Sequence, residues 1–269
     1  MLKPVRLTPS LREKVWGKTR LEPWFRDSER PIGEAWYLTD RDLPLLVKLL
    51  FTSDRLSVQV HPADGEDGPR GKTEMWHILE AEPGASIALG FREPITRERL
   101  LEATRSGEVE KLLNWIEVKP GETYCTPAHT VHAIGAGIVL CEIQQNSDVT
   151  YRLWDYGRPR EIHVDKAVPI ADLTVHPGAV TPKGMSAEWQ ELVRCRHFVT
   201  ELVRLKAGAL IRLSPQDCQL WICLKGRGTI GDEPFGRGDV WLRPDPAIVL
   251  AEQDARFLRT WVPASGAGR

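Results

Sequence analysis

The chain has 269 residues, 36 basic and 37 acidic, with 42 % hydrophobic and 27 % charged residues. This is an ordinary make-up for a soluble globular protein with room for one large domain or two small ones. A net charge of −1 gives no overall basic field for nucleic acid, and no apolar run is long enough to cross a bilayer.

In chain order, the first clear element is a strand over residues 45–51, an apolar run broken only by Lys48. Strands over 56–61, 73–79 and 87–91 follow it. The period then changes. Thr96 is placed to cap a helix, with Glu98 in its first turn. Leu100, Leu101, Val109, Leu112, Leu113 and Ile116 recur at helical spacing across Gly107, which divides two short helices. After the turn Lys119-Pro120-Gly121, strands resume over 123–126, 130–134, 138–144 and 151–155. Short strands with close turn signals favour a sandwich or barrel over βαβ winding.

Residues 177–184, rich in Pro, Gly and Thr, read as a linker. Beyond them strands are predicted over 197–205, 210–213, 219–224, 240–243 and 256–262, with glycines at 226, 228, 231, 236 and 238 in the turns. The expected division is 1–176 and 185–269, although the N-terminal segment is free to pair with the second half. There is no histidine from Phe198 onward, so the second domain is expected to lack metal ligands.

The chemistry concentrates in the first half. In Leu56-Ser-Val-Gln-Val-His-Pro62, strand alternation puts Ser57, Gln59 and His61 on one face and Leu56, Val58 and Val60 on the other. A barrel interior takes the apolar set unless the polar set has a purpose, and two close metal ligands would be one. In Gly71-Lys-Thr-Glu-Met-Trp-His77, Glu74, Trp76 and Ile78 share a face and His77 lies opposite. In Pro127-Ala-His-Thr-Val-His-Ala133, His129 and His132 diverge if the strand is regular, and a turn near Pro127 could change this. Gln, Glu and two His offer oxygen and imidazole donors that suit Zn²⁺, with Mn²⁺, Fe²⁺, Co²⁺ or Ni²⁺ also compatible.

These segments resemble a known family. Residues 48–62, Gly71-Lys-Thr-Glu74, 127–133 and the block from Glu142 through Asp148-Val-Thr-Tyr-Arg152 to Arg158 match four motifs of type I mannose-6-phosphate isomerases, in order. The resemblance implies a mainly β fold of two cupin-type jelly-roll barrels in tandem, with a short helical segment inserted in the first. It also implies one Zn²⁺ per chain, with ligands at Gln59, His61, Glu74 and His132. His77 and His129 fall at positions that vary in the family and are read as non-ligands. Arg152 falls on the family's essential arginine, and Glu142 and Lys72 on residues lining the same pocket. These three are the catalytic candidates. Arg158, six beyond the arginine, and Ser57 are the substrate-binding candidates.

The match departs from longer relatives at Ala63-Asp64, where they carry Asn-Lys, and it lacks room for their helical insertion. It is similar to the short bacterial form. The expected activity is zinc-dependent interconversion of mannose 6-phosphate and fructose 6-phosphate through a cis-enediol. A non-catalytic sugar-binding metal cupin is the alternative, and an iron oxidase is a third reading that Gln59 disfavours. Five cysteines without a C-x-x-C pair, and an N-terminus without an apolar core, point to the cytoplasm. The expected partner is a small sugar phosphate, with no nucleic acid or membrane, and the chain is expected to be a monomer or homodimer.

Overall fold

The computed structural model describes residues 4–184, 186, 188–212, 219–242 and 248–264. Its strands form four antiparallel sheets. The first half contributes a six-stranded sheet built on Leu45–Phe51, Ile138–Gln145, Glu74–Ala81 and Thr123–Thr126, and a five-stranded sheet containing Val58–Val60, His132–Ile134 and Tyr151–Trp154. The second half contributes a seven-stranded and a four-stranded sheet. This is a mainly β, cupin-type architecture.

Alternation decides which face each strand gives to which core. In Leu45–Phe51 every residue is buried, because both faces are covered. Leu45, Val47, Leu49 and Phe51 join Met75, Cys141 and Ile143 in a cluster that also holds Ile222, Leu224, Val240 and Leu258 of the second half. The six- and seven-stranded sheets therefore pack back to back. The opposite face carries Leu50, Trp76, Ile78 and Leu140 into a separate core with Ile87 and Ile134 of the five-stranded sheet. Val58 and Val60 point outward from that sheet to Leu100, Ala103 and Ala167 of the covering helices. In the second half, Trp221, Phe235, Trp241 and Phe257 fill the space between its two sheets. Edge-to-face ring pairs there have centroids 5.3 and 4.9 Å apart.

The helix Arg97–Ser106 starts where its cap is expected. Thr96 Oγ1 accepts from Arg99 N at 3.2 Å. It ends at Gly107, whose φ of 75° is left-handed and whose absent Cβ leaves room for the Trp154 ring. A second short helix spans Val109–Leu112. The helical reading of Leu113 and Ile116 is corrected: both belong to a strand, Leu113–Glu117, paired with Ser86–Phe91. Apolar spacing over so few residues is ambiguous between the two periods, and sheet pairing decides it.

The strand expected over 56–61 is confined to Val58–Val60. Elements with weak sequence signals also appear. These are the N-terminal strands Thr8–Lys18 and Ile32–Leu38, the helix Val164–Ile170, and Trp189–Arg194, Gly228–Ile230, Glu233–Phe235 and Ile248–Ala251. Val5–Arg6 crosses to the second half and pairs with Val240–Leu242. The strand ends expected at 213 and 243 lie outside the described residues. No helix among the described residues is long and apolar enough to cross a membrane.

Candidate metal centre and cleft

Glu74 and His132 open two strands and His61 directly follows a third, Val58–Val60; the three come together and all are buried. Their donor atoms lie within 4.8 Å of one another. His61 Nε2 is 3.6 Å from one Glu74 oxygen, and His132 Nε2 is 3.5 Å from the other. His61 Nδ1 donates to the Val149 carbonyl at 3.0 Å, and His132 Nδ1 to that of Thr130 at 2.8 Å. These two bonds fix the tautomer that turns both Nε2 lone pairs inward. The parity problem at His132 is solved by the turn before it. His129, at φ 74°, reverses the chain and donates its N–H to the His61 carbonyl, so only His132–Ile134 is extended.

Gln59 pairs in register with His132, and its amide nitrogen donates to His132 Nε2 at 3.2 Å. Its oxygen accepts from Ser57 Oγ at 3.0 Å. A half-turn of the amide would present that oxygen to the cluster, and a hydroxyl serves as donor or acceptor either way. The two excluded histidines are engaged elsewhere. His77 bonds Thr123 Oγ1 on the opposite sheet face, and His129 bonds Glu66.

The donor set fits a divalent ion on its own chemistry. Both Glu74 oxygens are buried and accept no hydrogen bond, although the Lys72 ammonium stands 2.8 Å from one of them, off the hydrogen-bonding direction. An ionised carboxylate is costly in a dry site unless cations face it; Lys72, which also lies 2.9 Å from His61 Nε2, supplies one charge, and both Glu74 oxygens keep lone pairs for an ion. Burial raises the Glu74 pKa, Lys72 opposes that rise, and the nearby Glu142 charge adds to it. Burial also depresses both histidines, His132 to about 4, which keeps them neutral and ligand-competent.

The cluster lies beside a cleft of about 290 Å³ lined by Ser57, Gln59, Lys72, Glu142 and Arg152, and by Arg12, Lys14, Lys48, Asp148 and Arg160. Glu142 is held from both sides on its own sheet. Lys48, its register partner, donates to one oxygen at 2.9 Å, and Trp76, its partner on the other strand, donates to the second at 3.1 Å. Burial by itself would raise the Glu142 pKa, but Lys48 and Lys72 outweigh it and hold the carboxyl below its usual range. Lys72 is held protonated in turn: burial opposes its charge, and Glu74 and Glu142 more than offset that.

Arg152 lies opposite Gln59 in register. Its Nε is buried without a partner, and its guanidinium makes no ion pair among the described residues. Five of the nine sequence candidates, Ser57, Gln59, Lys72, Glu142 and Arg152, line the cleft, and the buried His61, Glu74 and His132 lie beside it. Arg158 is the exception. It does not line the cleft, and its terminal nitrogens go to Asp54 at 2.5 Å, Asp155 at 3.2 Å and the Arg55 carbonyl at 2.8 Å. Among the cleft residues not singled out as site candidates from the sequence are Lys48 and Arg160. Lys48 had a signal, one charge inside an apolar strand. Arg160 had none beyond proximity to Arg158.

A cupin-type fold whose buried His–Glu–His set could hold a metal ion, beside a cleft lined by more cationic than anionic side chains, defines a class: a cupin with a candidate metal site. No family model matches the chain. Curated relatives do. A mannose-6-phosphate isomerase of Bacillus subtilis is 31 % identical over 90 % of this chain and 93 % of its own length. Another, of Streptococcus mutans, is 32 % identical over 91 % and 93 %. The crystal structure of a Bacillus subtilis mannose 6-phosphate isomerase superposes with a TM-score of 0.85 at 27 % identity, covering 96 % of this chain and 99 % of that one. The chain belongs to the mannose-6-phosphate isomerase family.

Proposed function

We propose that this protein is a zinc-dependent isomerase that interconverts mannose 6-phosphate and fructose 6-phosphate, with a cis-enediol between them. The observation that carries the reading is the pairing of a buried His61–Glu74–His132 set with a cleft whose wall holds the unpaired guanidinium of Arg152. Relatives named for this activity across nine-tenths of the chain support it.

A zinc ion would be held by His61, Glu74, His132 and the Gln59 oxygen, and would supply positive charge that polarises the sugar's carbonyl and hydroxyl oxygens. The remaining steps belong to this chain's own residues. Moving hydrogen between C1 and C2 needs a base at one carbon and a donor at an oxygen. Lys48 and Lys72 favour the ionised form of Glu142, and Glu74 and Glu142 favour the protonated form of Lys72, each against the effect of burial. Each is thus already in the working form for accepting and giving a proton at neutral pH, at some cost in intrinsic strength. Arg152 carries a fixed charge toward the same space and stabilises the negative charge that develops on the enediol oxygens. Ser57 sets the Gln59 amide through its 3.0 Å hydrogen bond. The four described cysteines Cys125, Cys141, Cys195 and Cys223 are free thiols, which suits a cytoplasmic enzyme.

Turnover of mannose 6-phosphate by purified protein, before and after chelation with zinc add-back, tests this directly. Chelator-sensitive turnover that zinc restores is expected. A zinc-loaded protein that binds the sugar phosphate without converting it would sink the isomerase reading and leave a binding cupin.

A further inference from the structure

Arg158 and Arg160 compete for one buried carboxylate, Asp155, and the outcome sorts them. Arg160 uses its side edge: Nε and Nη2 each reach an Asp155 oxygen at 2.6 Å. A guanidinium has five N–H groups in a planar fork. This pairing consumes two of them and leaves the Nη1/Nη2 end free. That end is the edge that matches two oxygens of a phosphate in parallel hydrogen bonds. Arg160 lines the cleft, and 32 % of its side chain is exposed. Arg158 has spent both terminal nitrogens on Asp54, Asp155 and the Arg55 carbonyl, and it does not line the cleft.

The backbone explains why Arg160 stands where it does. After the strand Tyr151–Trp154 the chain turns back. His163 N donates to the Arg152 carbonyl at 2.8 Å, and Arg152 N donates to His163 Nδ1 at 3.1 Å. This loop closure carries Arg160 beside Arg152, close enough that its charge depresses the Arg152 pKa further, after burial has done most of it. Two guanidiniums then stand on one wall, and among the described residues only that of Arg160 is ion-paired, to Asp155. Arg152 is in register with Gln59 at the metal set, and Arg160 lies beyond it. The wall thus has an inner cation for the reacting oxygens and an outer one with an open fork.

We infer that Arg160, oriented by Asp155, holds the phosphate of the substrate, and that Arg158 does not touch it. This rests on the sugar-phosphate reading of the cleft. Asp155 is a positioning residue: it contacts no substrate and sets the direction of the open edge. Because the free sugar lacks the group that Arg160 grips, Arg160 is also what selects the phosphorylated sugar over the free one.

The test compares Arg160→Ala, Arg160→Lys, Asp155→Asn and Arg158→Ala with the zinc-loaded parent. Steady-state kinetics and calorimetric titration with inorganic phosphate would both be run. Loss of one charge-assisted pair predicts KM for mannose 6-phosphate and the phosphate dissociation constant both about tenfold to a hundredfold higher in Arg160→Ala, with kcat changed far less. Arg160→Lys, which keeps the charge and loses the fork, falls between. Asp155→Asn raises both constants while the melting temperature stays within the range of the Arg160 variants. Arg158→Ala leaves both constants unchanged. An Arg160→Ala protein with parental KM and parental phosphate affinity overturns the assignment, and so does a rise in both constants in Arg158→Ala alone. The calorimetry needs no turnover. If the parent binds phosphate through Arg160 but isomerises nothing, the isomerase reading fails and this assignment stands.

Discussion

Lys48 is the residue on which the inner wall of the cleft depends. It is 3 % exposed, it bonds Glu142 at 2.9 Å and Gln144 at 2.5 Å, and it lies over the Trp36 ring at 4.4 Å. Replacing it leaves Glu142 buried with one donor, Trp76, and no adjacent cation on its sheet. Breaking a buried pair from one side costs about 3–5 kcal/mol, far more than the pair's net worth. Lys48→Met is therefore expected to lower stability by that amount in urea titration, and Lys48→Met with Glu142→Gln to recover most of it. If the double variant is no more stable than the single one, the pair does not act as a unit. Arg152 behaves differently, since among the described residues it has no ion pair to lose. Arg152→Ala should leave the melting temperature and zinc content as they are and lower kcat by about a hundredfold or more, the scale for removing one preorganised charge at a developing anion. Unaltered kcat would remove Arg152 from the chemistry. His132→Ala should instead lose zinc and turnover together, which metal analysis of the purified variant would show. At this scale much of the site was legible. Gln59 and His61 share a face by simple alternation, and Glu74 faces inward with Trp76. The inward turn of His132 was not, because it depends on a left-handed His129 that no spacing rule reveals.

Strand Glu74–Ala81 serves two environments at once. Glu74, Trp76 and Ile78 face the cluster and its core, while Met75 and His77 face the second half. His77 is almost fully enclosed, bonded to Thr123 at 2.8 Å, and its pKa is lowered to about 4, first by burial and then by Arg256 and Arg204. The sign follows from the neutral folded form. The unfolded chain takes up a proton near pH 6.5 and the folded chain does not. The stability that this neutral histidine confers is complete above pH 6.5 and is lost as the pH falls toward 4. For a shift of this size the loss at pH 5 is about 2 kcal/mol. Urea unfolding at pH 7 and pH 5 should show a smaller acid loss in His77→Gln than in the parent, by about that amount. Equal losses would mean the proton is taken up elsewhere. Elements with a bounded apolar run or a cap-and-glycine frame, such as Leu45–Phe51 and Arg97–Ser106, could be read from the sequence almost to the residue. Thr8–Lys18 could not. It lies at a sheet edge with only Trp16 and Gly17 buried and no steady apolar alternation, and only its pairing with Ile32–Leu38 makes it a strand.

The two halves are joined face to face as well as end to end. Leu45, Val47, Leu49, Phe51, Met75 and Ile143 of the six-stranded sheet share one core with Ile222, Leu224, Val240, Leu242 and Leu258 of the seven-stranded sheet. Val5–Arg6 completes the far sheet, and the Tyr37 hydroxyl donates to the Gly238 carbonyl across the same interface. Alternation identifies the second apolar face of Leu45–Phe51 but not what covers it, since helices, a sheet or another subunit would leave the same pattern. Burying six large apolar side chains at about 1.5–3 kcal/mol each is comparable to a domain's whole stability. The segment 1–176, although it carries the entire metal set, is therefore not expected to fold as an independent unit. Expressed alone it should bind hydrophobic dyes, melt without a sharp transition and hold zinc weakly. Supplied with 185–269 on a second chain, it should regain a cooperative melt. The full-length protein should unfold in a single calorimetric transition whose van't Hoff and calorimetric enthalpies agree. A monomeric 1–176 fragment with a sharp melt close to that of the whole chain would show that the shared core adds little, and that the metal half stabilises itself.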